Sequence, residues 1–311
     1  MKLSSTFLLA AALILSGCGG VSHVLTPQVT PTPPTSANAD HVFLVMLENH
    51  GFGQVSGNPA MPYLNSLATA HGLAANYFAD AHPSIPNYFM LTTGNVETFD
   101  DSFTGTISDD NIVRALTGSN KTWKAYIESL PATAYLGPNS GTYLRRHNPF
   151  AYLSDVNANT PAAAAQAARM VSFSQLSADL NAGTLPNFVY ILPNSEDDAH
   201  DCPGEAATCT DDQELAAADT WLKNNIDPII NSPKFGNSVL LITFDEAQTT
   251  DLTHGGGQVM TVLVGPHVKP AFRSSTMYQH ESLLKLILEL LQVSDKPGAS
   301  ATASSMGEFF Q

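Results

Sequence analysis

The sequence predicts an α/β fold: a mostly parallel central sheet flanked by helices on both faces, in a single domain. Three observations lead there. From His41 onward, short apolar runs alternate with helical patterns, which is the signature of strand–helix–strand units. The runs are continuously apolar, without the alternation of a strand that has one wet face, so they read as strands buried on both sides. The chain has 311 residues, 43% hydrophobic and 13% charged, enough for one large core but tight for two.

The elements follow in order. "HVFLVML" (41–47) is a first buried strand, and "MPYLNSLATAHG" (61–72) a helix with Met61, Leu64, Leu67 and Ala68 on one face and Gly72 as its stop. "GLAANYFA" (72–79) reads as a strand, and "PSIPNYFMLTTG" (83–94) as a helix opened by prolines and closed by Gly94. "NFVYILP" (187–193), "SVLLITF" (238–244) and "VMTVLVG" (259–265) are further strands, with helical patterns at 212–230 and 279–292. The stretch 95–186 is irregular and rich in Gly, Asn, Asp and Ser, with a helix expected through the alanines at 162–169. The domain is expected to span 40–293, with a flexible tail over 294–311.

The first residues, "MKLSSTFLLAAALILSGCGG", hold one Lys, an apolar stretch from Phe7 to Leu15 and then small residues. That is an export signal, too short for a helix that stays in a bilayer. Leu15-Ser16-Gly17-Cys18 resembles a bacterial lipoprotein lipobox, which implies cleavage before Cys18 and its lipidation. Residues 19–39, with Pro27, Pro31, Pro33 and Pro34, form a hydrated tether. The expected location is the bacterial envelope, periplasmic or anchored at the outer membrane, with plain secretion as the alternative. In an oxidising compartment, Cys202 and Cys209 are expected to pair as a disulfide.

A formal net charge of −15 argues against nucleic acid as a partner, and against an anionic membrane surface as the main one. An anionic substrate would need local positive charge, and with few, scattered basic residues a metal ion is the simplest source.

In a parallel sheet, functional side chains gather beyond the carboxyl ends of the strands. Strand 41–47 ends in Glu48, Asn49 and His50. Strand 72–79 leads to Asp80, His82, Ser84 and Asn87. Strand 187–193 ends in Asn194, Asp198, His200 and Asp201, and strand 238–244 in Asp245 and Glu246. Two adjacent carboxylates at a strand end repel each other unless a cation lies between them. Glu48, Asn49, Asp245 and Glu246 make an oxygen-rich set suited to Mg²⁺, Ca²⁺ or Mn²⁺, while added imidazoles suit Zn²⁺ or Fe. Ser84 stands at a helix start, where free N–H groups and the helix dipole favour negative charge. A hydroxyl there, next to a metal, can ionise and attack phosphorus.

In order, "VFLVMLENHGFGQV", "HPSIPNYFMLTTG", "ILPNSEDDAHD", "LLITFDEA", "VLVGPHVKP" and "YQHESLLKLILELL" resemble the blocks of the bacterial phosphoesterase family. That family covers acid phosphatases and phospholipases C within the alkaline phosphatase superfamily. The resemblance implies an alkaline phosphatase-like fold, with Glu48, Asn49, Asp245 and Glu246 as metal ligands and Ser84 as nucleophile through a phosphoenzyme intermediate. It further implies Asn87 as a phosphate contact, and His200 and Asp201 as active-site groups, Asp201 among the metal ligands. His254 is implied as a catalytic companion and His280 as a group beside the substrate; His82, by its position near the site, either joins the substrate groups or orients the loop. A small phosphorylated substrate or a phospholipid headgroup follows.

Where longer phospholipase C-like members carry "DEHGGFYDH", this chain has "DEAQTTDLTHGGGQV". Ala247 replaces the histidine after the acidic pair, which favours the acid phosphatase-like branch over a phospholipase C-type diesterase. A non-catalytic lipoprotein that captures phosphorylated ligands is the reading from another class. His50 and His71 read as loop or surface histidines, and His147 and His267 as structural. Asp100, Asp101, Asp109 and Asp110 read as solvated loop charge.

Overall fold

The computed structural model describes residues 37–311. Cys18, with the lipobox and the tether as far as residue 36, lies outside the described residues. The elements run β1 (His41–Leu47), α1 (Phe52–Val55), α2 (Pro62–Ala70), β2 (Gly72–Phe78), α3 (Ile85–Thr93), α4 (Ile112–Gly118), β3 (Trp123–Ile127), α5 (Ser154–Asn157) and α6 (Pro161–Ala167). They continue with β4 (Met170–Ser172), α7 (Gln175–Ala182), β5 (Phe188–Leu192), α8 (Asp211–Asn225), α9 (Asp227–Ile230), β6 (Ser238–Phe244), β7 (Gln258–Val264), β8 (Phe272–Ser274) and α10 (His280–Leu290).

The eight strands form one sheet in the order β4-β3-β5-β1-β6-β7-β2-β8. Every neighbouring pair is parallel except β6·β7 and β7·β2, so β7 alone runs against the rest. The mostly parallel α/β prediction therefore holds. β1 and β6 occupy the middle of the sheet and are buried along almost their whole length, as their unbroken apolar runs require. Their register pairs Leu47 with Phe244, so Glu48 and Asp245 leave the sheet side by side. Because β7 reverses once on each side, β2 again points the same way as β1 and delivers Ser84 to the same edge.

Three strands were not expected from the sequence: β3, β4 and β8. β4 and β8 are only three residues long, and Lys124 breaks the apolar run of β3. The helical pattern at 212–230 is two helices, divided where Asp227-Pro228 opens α9, since proline offers no N–H to continue the ladder.

The expected flexible tail is the clearest departure. Met306 and Phe309 are fully buried and Phe310 nearly so, and the Phe309 ring meets Phe272 edge-on at 5.2 Å. Gly94 ends α3 in a left-handed conformation at φ 71°, and a side chain there would meet the Pro297 carbonyl at 2.4 Å. Ala299 N–H donates to the Gly94 carbonyl. The small residues that read as loose are what let the terminal segment lie against the core.

Candidate active site

Glu48, Asp245 and Glu246 are buried, and Asn49 is half-buried beside them. Asp245 Oδ1 accepts the amides of Asn49 at 3.0 Å and Glu246 at 2.6 Å, so the β1 and β6 exits are clipped together. Ser84, on the turn after β2, is also buried. Its Oγ lies 3.1 Å from Glu48 Oε2 and 3.1 Å from Glu246 Oε1, and its one proton can serve only one of them at a time. Tyr88, one turn further along α3, donates its hydroxyl to Glu48 Oε1. Three of the expected oxygen donors, Glu48, Asp245 and Glu246, thus lie around Ser84, and Asn49 is tied to them through its backbone amide.

Burial and mutual repulsion dominate the electrostatics. Glu48 is pushed well above the usual carboxylate range by desolvation first and then by Asp245 and Asp198. Burial drives Asp245 up to about 6. Glu246 is pushed up to about 9 by burial and then by Asp245. Asp245 Oδ2 is buried without a hydrogen-bond partner. Buried carboxylates turned toward one another, one with an orphaned oxygen, are the arrangement that a divalent cation stabilises. The residues present therefore fit such an ion.

A second layer comes from the irregular middle of the chain. His147 is buried, with Nδ1 3.1 Å from Asp198 Oδ2 and Nε2 3.2 Å from Glu48 Oε1. Its ring stacks on Tyr88 at 5.3 Å. Burial, then Arg146 and His200, hold it well below the usual histidine range. Arg146 donates to His200 Nε2 at 2.8 Å, and His200 Nδ1 donates to Asp201 Oδ1 at 2.7 Å. Donor atoms of Glu48, His147 and His200 lie close enough to share a cation.

His147, Asp198, Tyr88 and Arg146 are the site residues that the sequence reading did not assign a role. Tyr88 had a signal, being four residues from Ser84 and so on the same helix face. Asp198 was one of several acids after β5, with nothing to single it out. His147 and Arg146 lie in "RRHNPF", where no periodicity points anywhere, so that in sequence His147 reads as merely structural.

The structure places several predicted residues elsewhere. Asn87 does not face a substrate: it is fully buried, and its amide holds the 80–83 loop through Asp80 N, Ala81 N and the Ala81 carbonyl. His280 is also fully buried behind the site. Its Nε2–H donates to the Asp245 carbonyl at 2.6 Å, its Nδ1 accepts from Tyr77, and burial lowers it to about 4. Asp201 is half exposed and orients His200 from outside the ligand set. His254 is exposed, at φ 53°, with its ring 4.3 Å from that of Phe78. The glycines that follow it press on the loop after β2, where a side chain at Gly255 would meet the Asp80 carbonyl at 2.0 Å. That close backbone approach, and not an imidazole, is what "HGGG" brings to the site.

His82 does join it. Nε2–H donates to the Asp251 carbonyl at 2.9 Å, and Nδ1 lies 2.5 Å from Glu246 Oε2. With both nitrogens facing acceptors, His82 bridges Glu246 and the 251 loop and fixes the carboxylate in place. Cys202 and Cys209 are joined by a disulfide, which ties the loop after β5 to the start of α8.

The chain is 30% identical over 281 residues to a phosphatidylinositol-3-phosphatase of Mycobacterium tuberculosis, covering 89% of this chain and 84% of that protein. It is 27% identical to a probable acid phosphatase of Kluyveromyces lactis, covering 78% of this chain but 56% of that one. It is 29% identical to a phosphate-repressible acid phosphatase of Penicillium chrysogenum, covering 71% and 52%. The chain thus spans little more than half the length of these fungal relatives. In fold it resembles an alkaline phosphatase superfamily protein from Vibrio parahaemolyticus, with TM-score 0.59 at 13% identity over 84% of this chain and 68% of that one. It also resembles the lipoteichoic acid synthase LtaP of Listeria monocytogenes, with TM-score 0.58 at 14% identity over 86% and 77%. The sequence profile of the Phosphoesterase family matches residues 57–294. With that match over most of its length, the chain belongs to the Phosphoesterase family and is a hydrolase acting on phosphoric esters.

Proposed function

We propose a metal-dependent phosphatase that works through a phosphoserine at Ser84. One observation carries the reading: Ser84 Oγ lies 3.1 Å from both Glu48 and Glu246, at the start of α3, among carboxylates short of positive charge. Glu48, Asn49, Asp245 and Glu246 would hold a divalent cation, which when bound supplies the positive charge that activates the serine and neutralises phosphoryl oxygens.

Ser84 Oγ forms its bond to phosphorus as the bond to the departing alcohol breaks on the opposite side. The serine proton moves to Glu246 or Glu48, the acceptors of its hydrogen bond. His200, oriented by Asp201 through Nδ1, takes up a solvent proton at Nε2 once Arg146 releases that atom, and passes it to the departing oxygen. A surface groove of about 690 Å³, lined by His200 and Asp201, opens beside that ring. Water then attacks phosphorus and returns a proton to His200, the Ser84–phosphorus bond breaks, and the serine recovers its proton as phosphate leaves.

The substrate class that fits is a phosphomonoester on a small alcohol or a lipid headgroup, the latter in keeping with the name of the mycobacterial relative. Export and a lipid anchor at Cys18 would place the enzyme at the bacterial envelope. The test is turnover of p-nitrophenyl phosphate with and without chelator, together with acid quenching and mass spectrometry of the Ser84 peptide. Full activity in metal-free protein would end the metal reading, and a phosphate trapped on another residue would end the Ser84 reading. A Cys18→Ser variant that stays in the membrane fraction would end the anchor.

A further inference from the structure

We propose that Asp101 is an internal anion seated on the phosphoryl cradle. An incoming phosphate must displace it, and its charge weights the enzyme against dianionic monoesters relative to monoanionic diesters. This deepens the reading above and rests on Ser84 as the nucleophile.

Asp101 bridges the two groups that a phosphoryl oxygen would use. The amide of Ile85, the residue after Ser84 and the first of α3, donates to Asp101 Oδ1 at 3.2 Å. Ser84 makes no side-chain cap at that helix start, so the amide is open to an anion from outside. The other oxygen, Oδ2, faces Arg146 Nε at 4.0 Å. That nitrogen is buried and has no hydrogen-bond partner, while the same guanidinium holds the proton-transfer atom of His200. A carboxylate is thus lodged between the amide beside the nucleophile and the cation beside His200.

The surroundings explain both why it stays and why it can leave. Two residues on, Phe103 packs against Phe89 and Tyr152, with ring centroids 6.2 and 5.8 Å away, and this pins the loop. Asp101 itself has 39% of its side chain exposed and stands on the open side of the buried cluster. One bond to a neutral amide and one loose ion pair are a weak hold. A phosphate making charge-assisted bonds to the same groups outcompetes it. Until it moves, its charge opposes any arriving anion, and at equal separation a dianion feels about twice the repulsion of a monoanion.

The experiment uses the full metal-loaded chain and Asp101→Asn, which keeps the shape and removes the charge. The KM for p-nitrophenyl phosphate and the Ki for inorganic phosphate should both fall by roughly three- to tenfold, as expected for loss of one partly screened charge. The KM for bis(p-nitrophenyl) phosphate should fall by less. Asp101→Ser, smaller and also uncharged, should shift the same way and repeats the test if the Asn variant folds poorly. A merely structural Asp101 would lower the melting temperature and weaken phosphate binding. A phosphate Ki that is unchanged or raised in the variants overturns the proposal. Calorimetric phosphate binding in a Ser84→Ala background, with and without Asp101→Asn, separates the two readings. Full turnover in Ser84→Ala would remove the nucleophile and leave the binding comparison standing, while equal affinities there would remove only the role of Asp101.

Discussion

Asp179 and Asp219 are about as deeply placed as the carboxylates at the sheet edge, with 6% and 4% exposure, yet their surroundings are opposite in kind. Asp179 accepts from Lys124, Tyr126 and Gln175. Burial raises its pKa, but those partners outweigh burial and hold it below the ordinary range. Asp219 accepts the amides of Tyr63 and Leu64 at the start of α2, which Met61 cannot cap with its own side chain. Glu48, Asp245 and Glu246 also have donors, in Tyr88, Ser84, His82 and the amides of Asn49 and Glu246, but they are crowded against one another, and Asp245 Oδ2 is left with none. Depth of burial therefore does not separate scaffold from site; the crowding of acid against acid does. A buried carboxylate surrounded by donors alone holds the fold together, and one crowded against other carboxylates marks the place of a cation.

The strongest challenge to this contrast is Ser84→Ala, for which turnover of p-nitrophenyl phosphate should drop by on the order of 10³-fold or more. Next comes Asp245→Asn. Bound divalent metal should be lost and turnover should fall by about 10²-fold or more. The chelator-treated variant should melt higher than chelator-treated wild type, because an uncompensated buried charge is gone. If it melts lower, Asp245 belongs with the scaffold acids.

The pH dependence of stability sharpens the same point. In metal-free protein Asp245 and Glu246 bind protons more tightly when folded than unfolded, with pKa values raised to about 6 and about 9. Their contribution is present at low pH and is lost as pH rises through those values, so the melting temperature of chelated protein should fall between pH ~4 and ~9. A saturating divalent metal should flatten or reverse the slope. A rising curve in chelator would mean that the carboxylates find partners unaided.

Asp179→Asn should move stability the other way from Asp245→Asn, costing about 1–3 kcal/mol by denaturant titration with metal content unchanged. The smallest effect is expected at His254, which lies outside the cluster. His254→Ala should change kcat/KM by less than about threefold, within what a surface substitution does. A larger loss would return His254 to the catalytic group.

The central strands and the acidic exits were readable because β1 and β6 are unbroken apolar runs that admit one structural reading, and the polarity change at 48 and 245 marks where each leaves the sheet. The middle of the chain was opaque for the complementary reason. Arg146, His147 and Asp198 sit in segments without periodicity, held by long-range contacts such as the bond from Glu48 N to the Asp198 carbonyl. Asp101 read as loop charge because nothing local ties residue 101 to the amide of residue 85. Asn87 and His280 lie beside the strand exits, but their polar atoms are taken up by backbone groups and, at His280, by the Tyr77 hydroxyl, which composition does not reveal.

By itself, the order of apolar runs determined an α/β sheet, and the residues at the strand exits determined that acids and a serine share one edge. That much follows from pattern, since buried strands must be apolar and parallel strands open at a common end. Only the tertiary structure decided which exits adjoin, through the register of β1 on β6. It also decided which histidine sits among the carboxylates, and that an aspartate from a distant loop reaches the nucleophile's helix. Those choices depend on contacts between residues tens to hundreds of positions apart, set by how the whole chain packs and by no local preference.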